Sequence, residues 1–404
     1  MSTPMPDLRP PIDLLDPAWY AGDPTPMYRW LRTHDPVHWD PRNQLWGISR
    51  HADIVAIERD PATWSSAAGT RPMMTAELAT DSMIDLDNPR HAEQRAIVQD
   101  HFTRRAVAEL EPVVRAKVDE LIDRFAARGE ADLVAELAAP LPAELICAKL
   151  GFPQHMWRTL RVWGDEVNNL GDGVRFHTPE KLAALMAWRE YASGELAARE
   201  RQPTDDLLSR IVHTPLPSLG GCPMDHEAQL DEALLLLVGG SDTTRASIST
   251  AVWMLTHEHP EQWELLRDEP HRLRTAVEEI VRWTTPVLNM CRTATRDVEL
   301  HGRLIREGQK VLLMYGSANR DETVFTEPDR FDVTRDPNPH LGFGFGPHLC
   351  LGINLAKMEI RVALERLLTR LPDLRVRPGF VPTYNHTAFV RGFTSLEVVF
   401  SPPA

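Results

Sequence analysis

The chain has 404 residues, 43% hydrophobic and 25% charged, and its 44 basic and 58 acidic side chains leave a formal charge of −14. Such a composition suits a globular protein with a large core, and the acidic balance argues against nucleic acid or an anionic membrane as main partner, since both need a basic footprint. Cys147, Cys222, Cys291 and Cys350 lie far apart without a CxxC pair, which argues against a disulfide framework and against a structural zinc site.

The N-terminal MSTPMPDLRPPIDLLDP has no apolar core flanked by basic residues, and the longest apolar run, 233–238, is too short to span a bilayer. A soluble, cytoplasmic protein without stable membrane insertion is expected. Apolar residues at three- and four-residue spacing predict helices over 27–34, 89–101, 104–127, 133–150, 156–170, 179–201, 205–212, 226–258, 271–283 and 351–371. Strand-like pieces are short: 37–38 with 45–48, 299–300 with 311–314, and 394–400. The long segments 65–88 and 213–223 read as functional or mobile loops. With no repeat and no low-complexity linker, the expectation is one mainly α domain over 1–404 with small peripheral β-sheets.

The stretch HLGFGFGPHLCLGINLAK, 340–357, sets Cys350 among Gly342, Gly344, Gly346 and Gly352. Leu351, Leu355, Met358 and Val362 then form an apolar stripe, so an amphipathic helix is expected with its N-terminus at the cysteine. The helix dipole and nearby N–H groups favour thiolate there. The glycines let the backbone pass close to something flat and bulky. A nucleophilic cysteine needs a base, and His348 is the only local candidate. An anionic sulfur on a thin backbone suits an iron porphyrin better, because thiolate ligation favours O–O cleavage. Spacing alone leaves a structural or redox-active cysteine open.

The ten residues Phe343-Gly344-Phe345-Gly346-Pro347-His348-Leu349-Cys350-Leu351-Gly352 resemble the haem-binding signature of the cytochrome P450 family. The resemblance implies a single large triangular P450 fold that holds haem b, with Cys350 as the axial iron ligand and Phe343 and Gly352 beside the cofactor.

In LLLLVGGSDTTR, 234–245, Leu235, Val238, Gly239, Asp242 and Thr243 share one helical face. Adjacent mid-helix glycines cost about 1 kcal/mol each against alanine, which room for a diatomic ligand and water would offset. The structural alternative is a kink, with Thr243 bonding back to its own helix. The Gly-Gly-x-acid-Thr-Thr order is similar to the family's proton-delivery motif. That implies Gly239 at the haem, Asp242 as the acid passing protons from solvent, and Thr243 as the alcohol that hydrogen-bonds activated oxygen.

Glu279 and Arg282 stand at a spacing that allows an ion pair on a helix and in isolation reads as an ordinary solvated one. The resemblance implies instead a buried structural pair with Arg330 as third member. Haem carboxylates need cationic partners when buried, and the resemblance offers His91 and Arg95, on one helical face, with Arg292 and His348.

Met73, Met74, Met83 and Ile84, the helix face of Leu235 and Val238, Val287 and Leu288, and Phe389 and Val390 are expected to line an apolar substrate pocket. The stretches SMIDLDNPRH, LVGGSDTTR, EEIVRWTTPVLNMCR and HLGFGFGPHLCLG look most like actinobacterial enzymes that oxidise the terminal methyl of the cholesterol side chain. This implies a monooxygenase acting at C26/C27 of a steroid such as cholest-4-en-3-one. A fatty acid, terpenoid or macrolide substrate stays open. Electrons are expected from a separate ferredoxin and NAD(P)H-dependent reductase, with Arg104, Arg105, Lys357 and Arg361 as a docking face or simply solvated helix surface. A haem-thiolate sensor or carrier without turnover is the rival class, against which Asp242 and Thr243 argue. A peroxide-driven enzyme is a second rival, for which an arginine facing the iron is expected in their place.

Overall fold

Apolar residues that recur every three or four positions line one face of helices such as Arg104–Ala126 and Leu273–Thr284, and in the computed structural model that face is the buried one. The structure describes residues 12–77, 79–168, 170, 177–385 and 387–402, so most of the N-terminal segment read above lies outside the described residues, as do 171–176 between two of the expected helices. Helix Arg104–Ala126 buries Val107, Val114, Val118, Leu121, Ile122 and Phe125. Helix His226–Trp253 starts on Asp225, whose carboxylate accepts the Ala228 N–H at 2.9 Å. It buries residues on nearly every side, as a helix does when it runs through the middle of a molecule. Pro140–Leu150 and Ile353–Arg370 both pack on it.

The main sheet has five strands in the order Val37–Asp40, Leu45–Ile48, Lys310–Met314, Asn289–Ala294 and Trp64–Ser65. Leu45–Ile48 runs parallel to Lys310–Met314, and the other pairings are antiparallel. The expected partnership of 299–300 with 311–314 does not form. Val298–Leu300 folds back on Arg303–Ile305 instead. His301 and Gly302 take φ values of 49° and 71°, the left-handed pair that a tight hairpin turn requires.

The architecture is mainly α with small sheets, as expected. Among the described residues four α-helices escaped the periodicity reading, Pro17–Ala21, His51–Arg59, Pro260–Asp268 and Tyr315–Ala318. Among the described residues no helix is long and apolar enough to cross a membrane.

Candidate active site

The cysteine loop is a series of tight turns that only glycine allows. Gly344 and Gly346 have φ of 69° and 68°. A Cβ on Gly346 would lie 2.2 Å from the Glu58 carbonyl oxygen, so no side chain fits there. The Cys350 N–H donates to the Phe343 carbonyl at 2.9 Å, which closes the loop and leaves the thiol half-buried. The helix behind it begins at Ile353 with Gly352 as its cap, so Cys350 sits just outside the first turn. Burial pushes its thiol up, against the pull of the Gly352 N–H and the Arg95 and Lys357 charges. A metal cation bound at this sulfur would oppose that effect by favouring the deprotonated form.

On the long helix the two glycines have different reasons. Gly240 packs against the Pro140–Leu150 helix, where a Cβ would stand 2.7 Å from Ile146 Cγ1. Gly239 is exposed, with nothing within 4 Å of such an atom. The helix stays α-helical through both. The half-buried Thr243 donates its hydroxyl to the Gly239 carbonyl at 3.1 Å, the back-bond of the structural alternative.

Asp242 is buried, accepts from Asn168 Nδ2 at 3.1 Å and stands 3.4 Å from Arg245 Nη2. Burial pushes its carboxyl up to about 8, with Arg245 pulling down and Asp165 pushing further up. Arg245 also reaches Asp165 at 3.4 Å, and Arg71 donates to the Asn168 carbonyl at 2.8 Å. These side chains link the acid to the Trp157–Val167 helix and the 65–88 loop. Arg245 was visible at helical spacing from Asp242. Asn168, Asp165 and Arg71 carried no local signal.

His91, Arg95, Arg292 and His348 converge. The rings of His91 and His348 lie 4.1 Å apart, and His348 Nε2 is 3.2 Å from Ser66 Oγ. Burial, with Arg292, His91 and Arg95 nearby, lowers His348 to about 2. His91 is lowered too, by burial and then by Arg95. Both rings are thus held below the ordinary imidazole range, and the fixed cationic charge is that of the two arginines. Arg95 donates to the Leu349 carbonyl at 2.7 Å, and Arg292 pairs with Glu58 at 2.9 Å. His91 Nε2 and both amide atoms of Gln94 are buried without a hydrogen-bond partner. Orphaned donors beside two arginines fit a group that brings carboxylates of its own, so the residues present fit haem.

Glu279 and Arg282 form a fully buried bidentate pair, both bonds 2.7 Å. Arg330 is not its third member. Its side chain is exposed on Glu327, and only its carbonyl accepts from Arg282. Arg335 fills the role, 3.2 Å from Glu279, because the chain turns back after Phe331 and brings it inward.

The pocket residues are divided. Ile84, Leu235, Val238, Val287 and Phe389 are half-buried, and Met74 is held against Gly69. Met83 is buried, its N–H donating to the buried Glu232 at 2.8 Å. Val390 is buried and bridges to Val287. Met73 is 44% exposed, and Leu288 packs into a separate cluster with Leu14, Tyr20 and Met314. Leu288 is therefore withdrawn from the lining: in the strand region after Val287 it points to the opposite face. The 65–88 loop is stitched rather than loose, with Asp85 accepting from Thr70 and Thr80 and Asp87 from Ser65 and Ser66. Arg71 lies 3.2 Å from the centre of the Phe389 ring, joining loop and C-terminal turn.

A glycine-built cysteine loop, together with a central helix that carries an open glycine and an acid–alcohol pair, is the residue set of a haem-thiolate oxygenase site. The Cytochrome P450 family model matches residues 198–379. A steroid C26-monooxygenase of Mycobacterium tuberculosis is 40% identical over 97% of this chain and 98% of its own. A linalool 8-monooxygenase of Pseudomonas putida is 33% identical over 96% and 99%. A Mycobacterium marinum cytochrome P450 in complex with pseudoionone superposes with a TM-score of 0.88, at 34% identity over 98% of this chain and all of the other. The chain belongs to the cytochrome P450 family and is a monooxygenase.

Proposed function

We propose that the enzyme oxidises the terminal side-chain methyl, C26/C27, of a steroid such as cholest-4-en-3-one. The observation that carries this reading is the 40% identity, over nearly the full length of both chains, to a steroid C26-monooxygenase. Haem b, when bound, supplies the activation of dioxygen. Cys350 is the proposed axial ligand, and His91, Arg95, Arg292 and His348 the partners of the haem carboxylates. Phe343, Gly352 and Gly239 are the further residues that would lie beside the haem. The unpartnered His91 Nε2 supports that assignment.

Asp242 is the proposed proton donor, a role supported by its burial and raised pKa. Thr243 presents its hydroxyl on the open side of the helix beside Gly239. Met74, Ile84, Leu235, Val238, Val287 and Phe389 shape the apolar pocket and exclude water from it. Electrons come, in this reading, from a separate ferredoxin and its NAD(P)H-dependent reductase, and the enzyme works in the cytoplasm as one domain.

Titrating the ferric enzyme with cholest-4-en-3-one, a long-chain fatty acid and linalool tests the substrate. Cholestenone is expected to drive the low-to-high-spin absorbance change at the lowest concentration. A response to linalool or the fatty acid with none to cholestenone would refute the steroid reading, and the 33% identical linalool enzyme makes the terpene the informative rival.

A further inference from the structure

Glu58 belongs to none of the motifs above, yet it joins two of them. It lies near the end of helix His51–Arg59 with a buried side chain. Its Oε1 accepts from Arg292 Nη2 at 2.9 Å and from the Tyr315 hydroxyl at 2.7 Å. Its Oε2 accepts the Phe345 N–H of the cysteine loop at 2.5 Å. The Glu58 main chain meets the same loop, since its carbonyl occupies the space a Gly346 side chain would need. One carboxylate thus ties the strand that carries Arg292 to the turn that carries Cys350. Burial pushes this carboxyl up, while Arg292, Tyr315 and the Phe345 N–H pull it down. Removing a single partner of such a buried pair leaves the other charge uncompensated.

We propose that Glu58 is a positioning residue that holds Arg292 and the cysteine loop in register and, by its negative charge, biases the haem iron toward the ferric state. The proposal rests on the assignment of Cys350 as ligand. Reduction adds one electron from an external one-electron donor to the iron, and no protein bond forms or breaks. A fixed negative charge beside the site opposes that electron, and in a buried setting water screens little of the opposition. Replacing Glu58 with a neutral residue also uncovers the positive charge of Arg292, which acts in the same direction.

The test is anaerobic reduction of the haem-loaded protein against a reference dye. E58Q is expected to move the equilibrium at least tenfold toward ferrous, which for one electron is 59 mV. Y315F removes a hydrogen bond from the same oxygen without altering charge and is expected to stay within twofold. An E58Q equilibrium within twofold of wild type overturns the proposal, as does a Y315F shift equal to that of E58Q. Should E58Q fail to take up haem, E58D keeps the charge and must remain within twofold, and a tenfold shift there would assign the effect to packing. The ferrous–carbon monoxide spectrum separates the two levels: a wild-type protein without the thiolate band would remove the Cys350 assignment itself.

Discussion

At the scale of single residues, Asp242 is made an acid by its surroundings. Its ordinary value of 3.8 rises to about 8 because burial disfavours the charged form, with Asp165 adding to the rise and Arg245 and Arg161 opposing it. Between those two values the folded chain keeps a proton that the unfolded chain has released. This group's contribution to stability is therefore present below about pH 4 and lost as pH rises through about 8. The same range is where the carboxyl still has a proton to give. Turnover is expected to fall as pH passes about 8. D242N should lower kcat by roughly 10²–10⁴, the usual worth of a positioned acid, and should flatten both that limb and the decline of Tm with pH. The check is product formation across pH 6–10 together with thermal melts. A D242N enzyme that kept the wild-type limb would show that another group sets it.

At the scale of elements, Gly239 and Gly240 predict opposite outcomes for the same substitution. G239A puts a methyl into open space and relieves the entropic cost of a mid-helix glycine, so stability should rise by about 0.5–1 kcal/mol. That methyl occupies the proposed ligand side, and carbon monoxide binding to the ferrous protein should slow. G240A drives a methyl into Ile146 and should cost about 1–3 kcal/mol through overpacking, with little direct effect on ligand entry. Paired melts and flash-photolysis rates check both, and the same sign for the two variants would refute the division. The sequence told that glycines were needed in this helix but not which one met a neighbour, because Ile146 lies on another element. The same limit recurs elsewhere. Helix Pro179–Arg201 was legible to the residue, because the four-residue spacing of its buried Ala184, Trp188, Ala192 and Leu196 is local. Strand Asn289–Ala294 was not, since it is a central strand without clean alternation. Spacing offered Glu279 and Arg282 as an ion pair but read it as solvated, and only the resemblance implied its burial, whereas choosing Arg335 over Arg330 required the turn that aims the guanidinium. Glu58 could not be found at all, because its partners are more than two hundred residues away in sequence.

At the scale of the whole molecule, a chain of net charge −14 must still receive electrons from a partner, and local charge decides where. Of the four basic residues read as a docking face or solvated surface, two are already neutralised. Lys357 pairs with Glu278 at 2.8 Å, and Arg361 bonds Glu111 and stands 3.4 Å from Glu365. Arg104 is exposed, and Arg105 is almost fully exposed with only a loose 3.4 Å contact to Glu109. Both open the helix just after Phe102, whose carbonyl accepts from Asn354 of the post-cysteine helix at 2.9 Å, so they flank the thiolate side. Rim charges act mainly on association rate and its salt dependence. R104E/R105E is therefore expected to raise the KM for an acidic ferredoxin about tenfold at low salt and to leave kcat at saturating donor nearly unchanged. K357Q/R361Q, which removes charges already paired within the chain, should change KM by less than twofold. Raising ionic strength to 0.5 M, where screening is nearly complete within a few ångströms, should erase the difference between wild type and R104E/R105E. If K357Q/R361Q proved the more damaging pair, docking would be centred on the helix behind Cys350 instead, with the internal ion pairs opening when the partner binds.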